Sequence, residues 1–180
     1  MSEECGSTER NRNLWAPWRM EYIDALSEPD DGCFLCRYAQ DPASDEKNLV
    51  LRRGRNCLVL LNRFPYTGGH SMIAPMAHVA DLSELPDETM LEIMRLLRDT
   101  QQMLKKAVNA QGFNVGINVG RCAGAGLPGH LHVHIVPRWS GDTNFMSVFG
   151  GARVIPQSLE SLYQALRHAA EDLKLPNPGA

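Results

Sequence analysis

The run His130-Leu131-His132-Val133-His134-Ile135-Val136 alternates imidazole and aliphatic side chains without a break and is closed by Pro137. In an extended strand successive side chains point to opposite faces, so His130, His132 and His134 share one face and Leu131, Val133 and Ile135 the other. The aliphatic face is that of an ordinary half-buried strand. The histidine face gains nothing from hydration that Thr, Lys or Glu would not supply, and a fully protonated row would repel itself. An expression tag or scattered surface histidines do not fit a run that is internal and strictly periodic. The row points to chemistry.

A chain of 180 residues has the length of one domain and can bury a real core. Its net charge of −3 leaves no polybasic footprint, which argues against a nucleic acid polymer or an anionic membrane as partner, so any nucleotide bound is small. Met1 to Asn13 is polar with no apolar signal region, and no run is long enough to span a bilayer. Five cysteines, an odd number, argue for a reducing compartment rather than a disulfide framework. The expected location is the cytoplasm. Residues 1–13 read as a flexible tail and 14–180 as one domain, with a core over about 33–144 and a C-terminal extension over 145–180. Trp15, Trp18 and Tyr22 are dense for a segment so near a terminus and are expected to pack on the core or on a partner subunit.

Strands are predicted over 49–53 and 57–62, the second apolar enough to be buried on both faces. A loop with Pro65, Gly68 and Gly69 then suits a hairpin-like return into a strand from His70 to Pro75. The longest element is a helix over about Asp87 to Ala110, with Leu91, Met94, Leu97 or Leu96, Met103 and Leu104 assigned to the core and Arg95, Asp99, Gln102 and Lys106 opposite. Its methionines read as core filler, and Gln111-Gly112 as its end. Asn114 to Val119 is a further strand, and Gln157 to Leu173 a last amphipathic helix.

Two motifs need weighing. Cys33 and Cys36 form a C-x-x-C pair, which serves as half of a zinc site, as a redox dithiol, or as nothing. The polar stretch Asp41 to Asp45 that follows weakens the redox reading. Gly124-Ala125-Gly126-Leu127-Pro128-Gly129 matches G-x-G-x-x-G, yet a dinucleotide fingerprint opens a helix, and here a strand follows. Consecutive amides of Gly124, Ala125 and Gly126 can instead cradle phosphate oxygens.

The run from His130 to Val136 resembles the His-φ-His-φ-His-φ-φ signature of the histidine triad family of nucleotidyl hydrolases and transferases. The resemblance covers roughly Cys33 to Asn144. Leu14 to Arg19 and Pro137 to Phe145 look most like the bacterial diadenosine tetraphosphate phosphorylase-like branch, near the fragile histidine triad hydrolases. It implies an α+β fold with a five-stranded antiparallel sheet, one long helix and, here, a C-terminal helix, usually paired into a homodimer. It also implies His132 as the nucleophile on the α-phosphorus, His134 as a contact to oxygens near the scissile bond, and Asn62 as the ribose contact. Asn118 then matches a polar phosphate contact and His70 a histidine beside the site. In zinc-bearing relatives a C-x-x-C pair, a histidine after the Gly-His strand and the first triad histidine bind the metal; here those are Cys33, Cys36, His78 and His130, a closed structural set.

A neutral imidazole is a competent nucleophile, and a labile phosphoramidate divides one difficult displacement into two easier ones. No acidic cluster accompanies the triad, so the nucleophile is expected to need no cofactor or Mg²⁺. Many relatives carry Gln-Ser/Thr just before the triad, where this chain has Gly126-Leu127-Pro128-Gly129. The smaller loop leaves room for inorganic phosphate as acceptor. The expected function is therefore a diadenosine tetraphosphate phosphorylase or hydrolase. The alternatives are a purine-nucleoside phosphoramidase, a nucleotide-binding, zinc-structured protein without turnover and, last, a redox dithiol protein.

Overall fold

The computed structural model of the protein describes residues 32–142 and 157–176. The tail over 1–13, the aromatic segment around Trp15, Trp18 and Tyr22, and the stretch from Thr143 to Pro156 lie outside the described residues.

The fold is α+β. Helix α1 (Phe34–Gln40) precedes strands β1 (Val50–Arg53), β2 (Cys57–Leu61) and β3 (Ser71–Pro75). The long helix α2 (Asp87–Val108) follows, then β4 (Gly112–Ile117), β5 (Val133–Arg138) and helix α3 (Leu159–Asp172). The five strands form one antiparallel sheet in the order β1-β2-β3-β5-β4, so β5, which carries the histidines, runs between β3 and the edge strand β4.

Alternation divides the sheet into two faces. One face, with Val59, Leu61, Ile73, Leu131, Val133 and Ile135, packs with Ile93, Leu96, Met103 and Leu104 of α2 and Leu162 and Leu166 of α3. The other places Val50, Leu58, Leu60, Met72 and Ala74 beneath Leu35, Phe34 and Tyr38 of α1. Across this second face the register sets Leu60, Met72, His134 and Gly116 in one row. The histidine side of β5 and the cysteine-bearing helix therefore share a face. As the apolar run of β2 predicts, all five of its residues are buried.

Several expectations need correction. Leu91 and Met94 are 51% and 61% exposed, so they do not belong to the core. The buried stripe of α2 runs instead through Ile93, Leu96, Leu97, Thr100, Met103 and Leu104, a helical phase set by the sheet's apolar face rather than by the most hydrophobic residues available. Asp99, assigned to the polar side, is buried because Arg52 meets it at 3.1 Å. A charge takes such a position only when paired. Helix α2 ends not at Gly112 but at Asn109, whose φ of 51° supplies the left-handed cap. Gly112 then opens β4.

Strand β5 starts in hydrogen-bonding terms at Val133, three residues after His130. The cause lies in its neighbour. Pro75 has no N–H, its carbonyl accepts from the His130 ring at 2.8 Å, and Leu131 N–H donates to Val79 O at 2.7 Å instead of to a strand. Alternation nonetheless persists, since Leu131 is buried with Val133 and Ile135. Helix α1 was not expected, because the sequence reading stopped at the polar residues beyond it. Its seven residues are held by Leu35 in the sheet cluster and by Arg53, which donates to the carbonyls of Tyr38 and Ala39 and to Asp45. No helix of the described residues is long and apolar enough to cross a membrane.

Candidate active site and metal centre

The β2–β3 hairpin and β5 bring Asn62, His70, His132 and His134 together. Asn62 lies just past β2 and His70 just before β3. Gly69, with φ of +85° and Leu104 Cδ2 only 2.9 Å from where a Cβ would sit, makes the turn into His70 possible. His70 is fully buried and His132 nearly so. The rings of His70 and His134 lie 5.1 Å apart, and those of His132 and His134 4.8 Å apart.

Hydrogen bonds place the protons in this row. The Tyr66 backbone N–H can only donate, and it donates to His70 Nδ1 at 3.2 Å. Asn62 takes the Phe64 N–H on its Oδ1 at 2.8 Å, which turns its Nδ2 donors toward the same His70 nitrogen at 3.4 Å. His70 Nδ1 is thus an acceptor. Burial first, then the charges His134 and His132 would carry, push the His70 ring down to about 3, so it is neutral with its proton on Nε2. That Nε2–H donates to His134 Nδ1 at 3.0 Å. His134, pushed down to about 4 by burial and by His132, is neutral as well and carries its proton on Nε2.

His132 has the opposite arrangement. Its Nδ1–H donates to the His130 carbonyl at 2.8 Å, which assigns the lone pair of its neutral tautomer to Nε2. An Nε2 that accepts and an Nε2–H that donates therefore belong to neighbouring rings, their planes 79° apart.

His130 points to a second centre. Its Nδ1 lies 3.1 Å from Cys33 Sγ and 3.5 Å from Cys36 Sγ, and Cys36 Sγ lies 3.2 Å from His78 Nδ1. One ligand atom from each of these four residues falls within 4.8 Å of all the others. A tetrahedral zinc with Zn–S of about 2.3 Å and Zn–N of about 2.0 Å has S···N edges near 3.5 Å, so these residues fit the ion. The chemistry agrees. Burial and the adjacent Cys33 sulfur push the Cys36 thiol up, so a thiolate pair here needs a cation between the sulfurs. The His130 Nε2–H on Pro75 O at 2.8 Å is the outer hydrogen bond that aims a ligating imidazole.

The glycine loop is less open than its sequence suggests. Gly124, with φ of +84°, spends its N–H on Arg121 O at 2.9 Å, and the Ala125 N–H reaches Gly120 O at 3.4 Å. Among the described residues the Gly126 N–H has no internal partner. Asn118 follows β4 next to this loop and is half-buried. Sequence reasoning missed Pro75, whose carbonyl orients His130, and Tyr66, whose ring stacks on His70 at 4.7 Å and 18°. Only the position of Tyr66, between Asn62 and His70, could have signalled it.

Known proteins agree with this architecture. The HIT domain matches residues 44–141. A protein of Mycobacterium tuberculosis (strain ATCC 25618 / H37Rv) described as AP-4-A phosphorylase is 38% identical over 166 residues, spanning 89% of this chain and 85% of the relative. A zinc-bound histidine triad family protein from Mycobacterium smegmatis superposes with a TM-score of 0.65 at 27% identity, over 79% of this chain and 96% of its own. A histidine triad nucleotide-binding protein from Sulfolobus tokodaii strain7 gives 0.64 at 26% identity, over 79% and 94%. With the domain matched over more than half its length, this chain belongs to the HIT domain family.

Proposed function

We propose that the protein is a nucleotidyl-transferring enzyme that cleaves diadenosine tetraphosphate at the α-phosphorus, with phosphate or water as second acceptor. The observation that carries the reading is the pair of opposed tautomers, an Nε2 lone pair on His132 beside an Nε2–H on His134. His132 Nε2 attacks the α-phosphorus, the N–P bond forms, and the bond to the bridging oxygen breaks with its electron pair leaving on ATP. His134 donates a hydrogen bond to that oxygen and keeps its proton, since deprotonating a neutral imidazole is out of reach near pH 7. The new terminal phosphate of ATP is stable as an anion and needs no proton. In the second half, an oxygen of phosphate or water attacks the same phosphorus, and the electron pair of the N–P bond returns to His132. Phosphate yields ADP and water yields AMP.

In this reading Asn62 holds the ribose, His70 positions His134, and Asn118 with the Gly126 amide contacts phosphate oxygens. Gly124 and Ala125 shape the loop. The match to a relative described as a phosphorylase, over most of both chains, supports phosphate as acceptor. Incubation of diadenosine tetraphosphate with and without phosphate is the test: ADP plus ATP are expected with phosphate. AMP plus ATP in both arms would leave a hydrolase. His132→Ala is expected to lose at least 10³-fold in kcat, as removal of a covalent nucleophile does; retention of activity would remove the mechanism.

The proton assignment has its own consequence. In the unfolded chain His70 and His134 titrate near 6.5, whereas in the fold they resist protonation down to about 3 and about 4. Between these limits the unfolded state binds more protons, so their contribution to stability is complete above pH 6.5 and is lost as pH falls toward 4. Tm is expected to hold above 6.5 and decline below it, with ¹⁵N spectra at neutral pH showing both rings as Nε2–H tautomers. An Nδ1–H signal from His70 would break the chain of donors.

Cys33, Cys36, His78 and His130 would hold a structural zinc, which when bound fixes α1 to the start of the histidine segment. One equivalent is expected on metal analysis, and Cys36→Ser is expected to lower both zinc content and Tm. Metal content below about half an equivalent with full activity would count against it.

Leu91 and Met94 on α2, with Val115 on the edge strand β4, expose apolar surface that supports pairing with a second copy. Sedimentation is expected to give a dimer that Met94→Glu weakens; a monomer at enzyme concentrations would exclude it.

A further inference from the structure

Gly116 sits in the middle of β4, and nothing in the backbone asks for glycine there. It is not among the residues with positive φ, and a Cβ built on it meets no heavy atom of the described residues within 4 Å. Gly69 and Gly54 differ, since a Cβ at either would strike Leu104 or Glu92. A glycine inside a strand costs conformational entropy and packs nothing, and a position that keeps one without steric need is commonly where a ligand approaches the backbone.

Gly116 is the direct cross-strand partner of His134. Side chains of such pairs start about 5 Å apart, so the missing one leaves open ground immediately beside the donor ring. Asn114, two residues earlier in β4, lies on the same face, and Asn118 follows just past the strand's end. Arg138 Nη1–H occupies Asn114 Oδ1 at 2.9 Å, so the outward atoms of that amide are its Nδ2 donors. Bare backbone flanked by neutral donors suits an anionic chain.

The sheet gives the direction. Asn62 follows β2, and the strand order places β2 and β4 on opposite sides of β5. A nucleoside held at Asn62 therefore approaches the histidine rings from the β2 side, and whatever continues beyond the attacked phosphorus lies over β4.

We infer that Gly116 determines specificity, as the floor over which the leaving polyphosphate of a dinucleoside polyphosphate passes. The inference rests on the nucleotidyl-transfer reading above and adds to it the path and length of the leaving group.

Gly116→Val tests it with two substrates: diadenosine tetraphosphate, and adenosine 5′-phosphorofluoridate, whose leaving group is a single atom. Valine favours strands, so the variant is expected to melt higher than the parent. Its kcat/KM for the tetraphosphate is expected to fall at least 10-fold, mainly through KM, with turnover of the fluoridate within about 2-fold. Equal behaviour of parent and variant on both substrates overturns the assignment of Gly116 alone. So does an equal loss on both, or a loss that follows a changed association state in sedimentation. A parent protein inert toward both substrates overturns the nucleotidyl-transfer reading, and this inference with it.

Discussion

The bond from His132 Nδ1–H to the His130 carbonyl, 2.8 Å long, decides which nitrogen of the middle imidazole is left to accept. Everything that holds His130 in place therefore acts on the His132 ring. His130 is fully buried, its Nε2 is bonded to Pro75 O, and its Nδ1 faces the two cysteine sulfurs. One residue thus joins the Cys₂His₂ cluster to the His132 ring through its own backbone. A carbonyl fixed by two side-chain anchors cannot rotate away without breaking both, and this is how a segment lacking ladder hydrogen bonds still presents an imidazole in one orientation.

Placing so many imidazoles in a low-dielectric setting is unfavourable unless each nitrogen has a partner. The fold meets this with a directional chain. Tyr66 and Asn62 donate to His70, and His70 donates to His134. No buried side-chain nitrogen or oxygen of the described residues lacks a hydrogen-bond partner. The direction follows from a backbone N–H that cannot reverse its role, so the proton on His134 is decided by a loop residue outside the triad. Burial, which costs the charged forms most, works with the chain rather than against it by keeping both rings neutral.

The sheet and its histidine face were legible because a period of two leaves little choice once three imidazoles alternate with aliphatics. The four-residue metal cluster was reachable only by resemblance, since Cys36 and His78 are 42 positions apart and no spacing rule joins them. What could not be read was the phase of α2. Leu91 and Met94 are as apolar as the residues beneath them, and only the sheet selects which stripe is buried. Asp99 was misplaced for the same reason, because its partner Arg52 lies on another element. The glycine loop showed the opposite failure, its composition suggesting open amides where the turn consumes the first of them.

The same donor chain also bears on substrate class. A neutral His134 can offer a hydrogen bond but not a proton, so bond cleavage depends on a leaving group that is stable without one. A polyphosphate meets that condition, whereas an amine expelled from a phosphoramidate must be protonated as it departs. For His134 to give up its Nε2 proton near neutral pH, its Nδ1 would have to be protonated as well, which puts a cation in a buried row beside two other imidazoles, against the same burial that depresses its titration. By this proton count the histidine row suits an anhydride, whose leaving group departs as a stable anion.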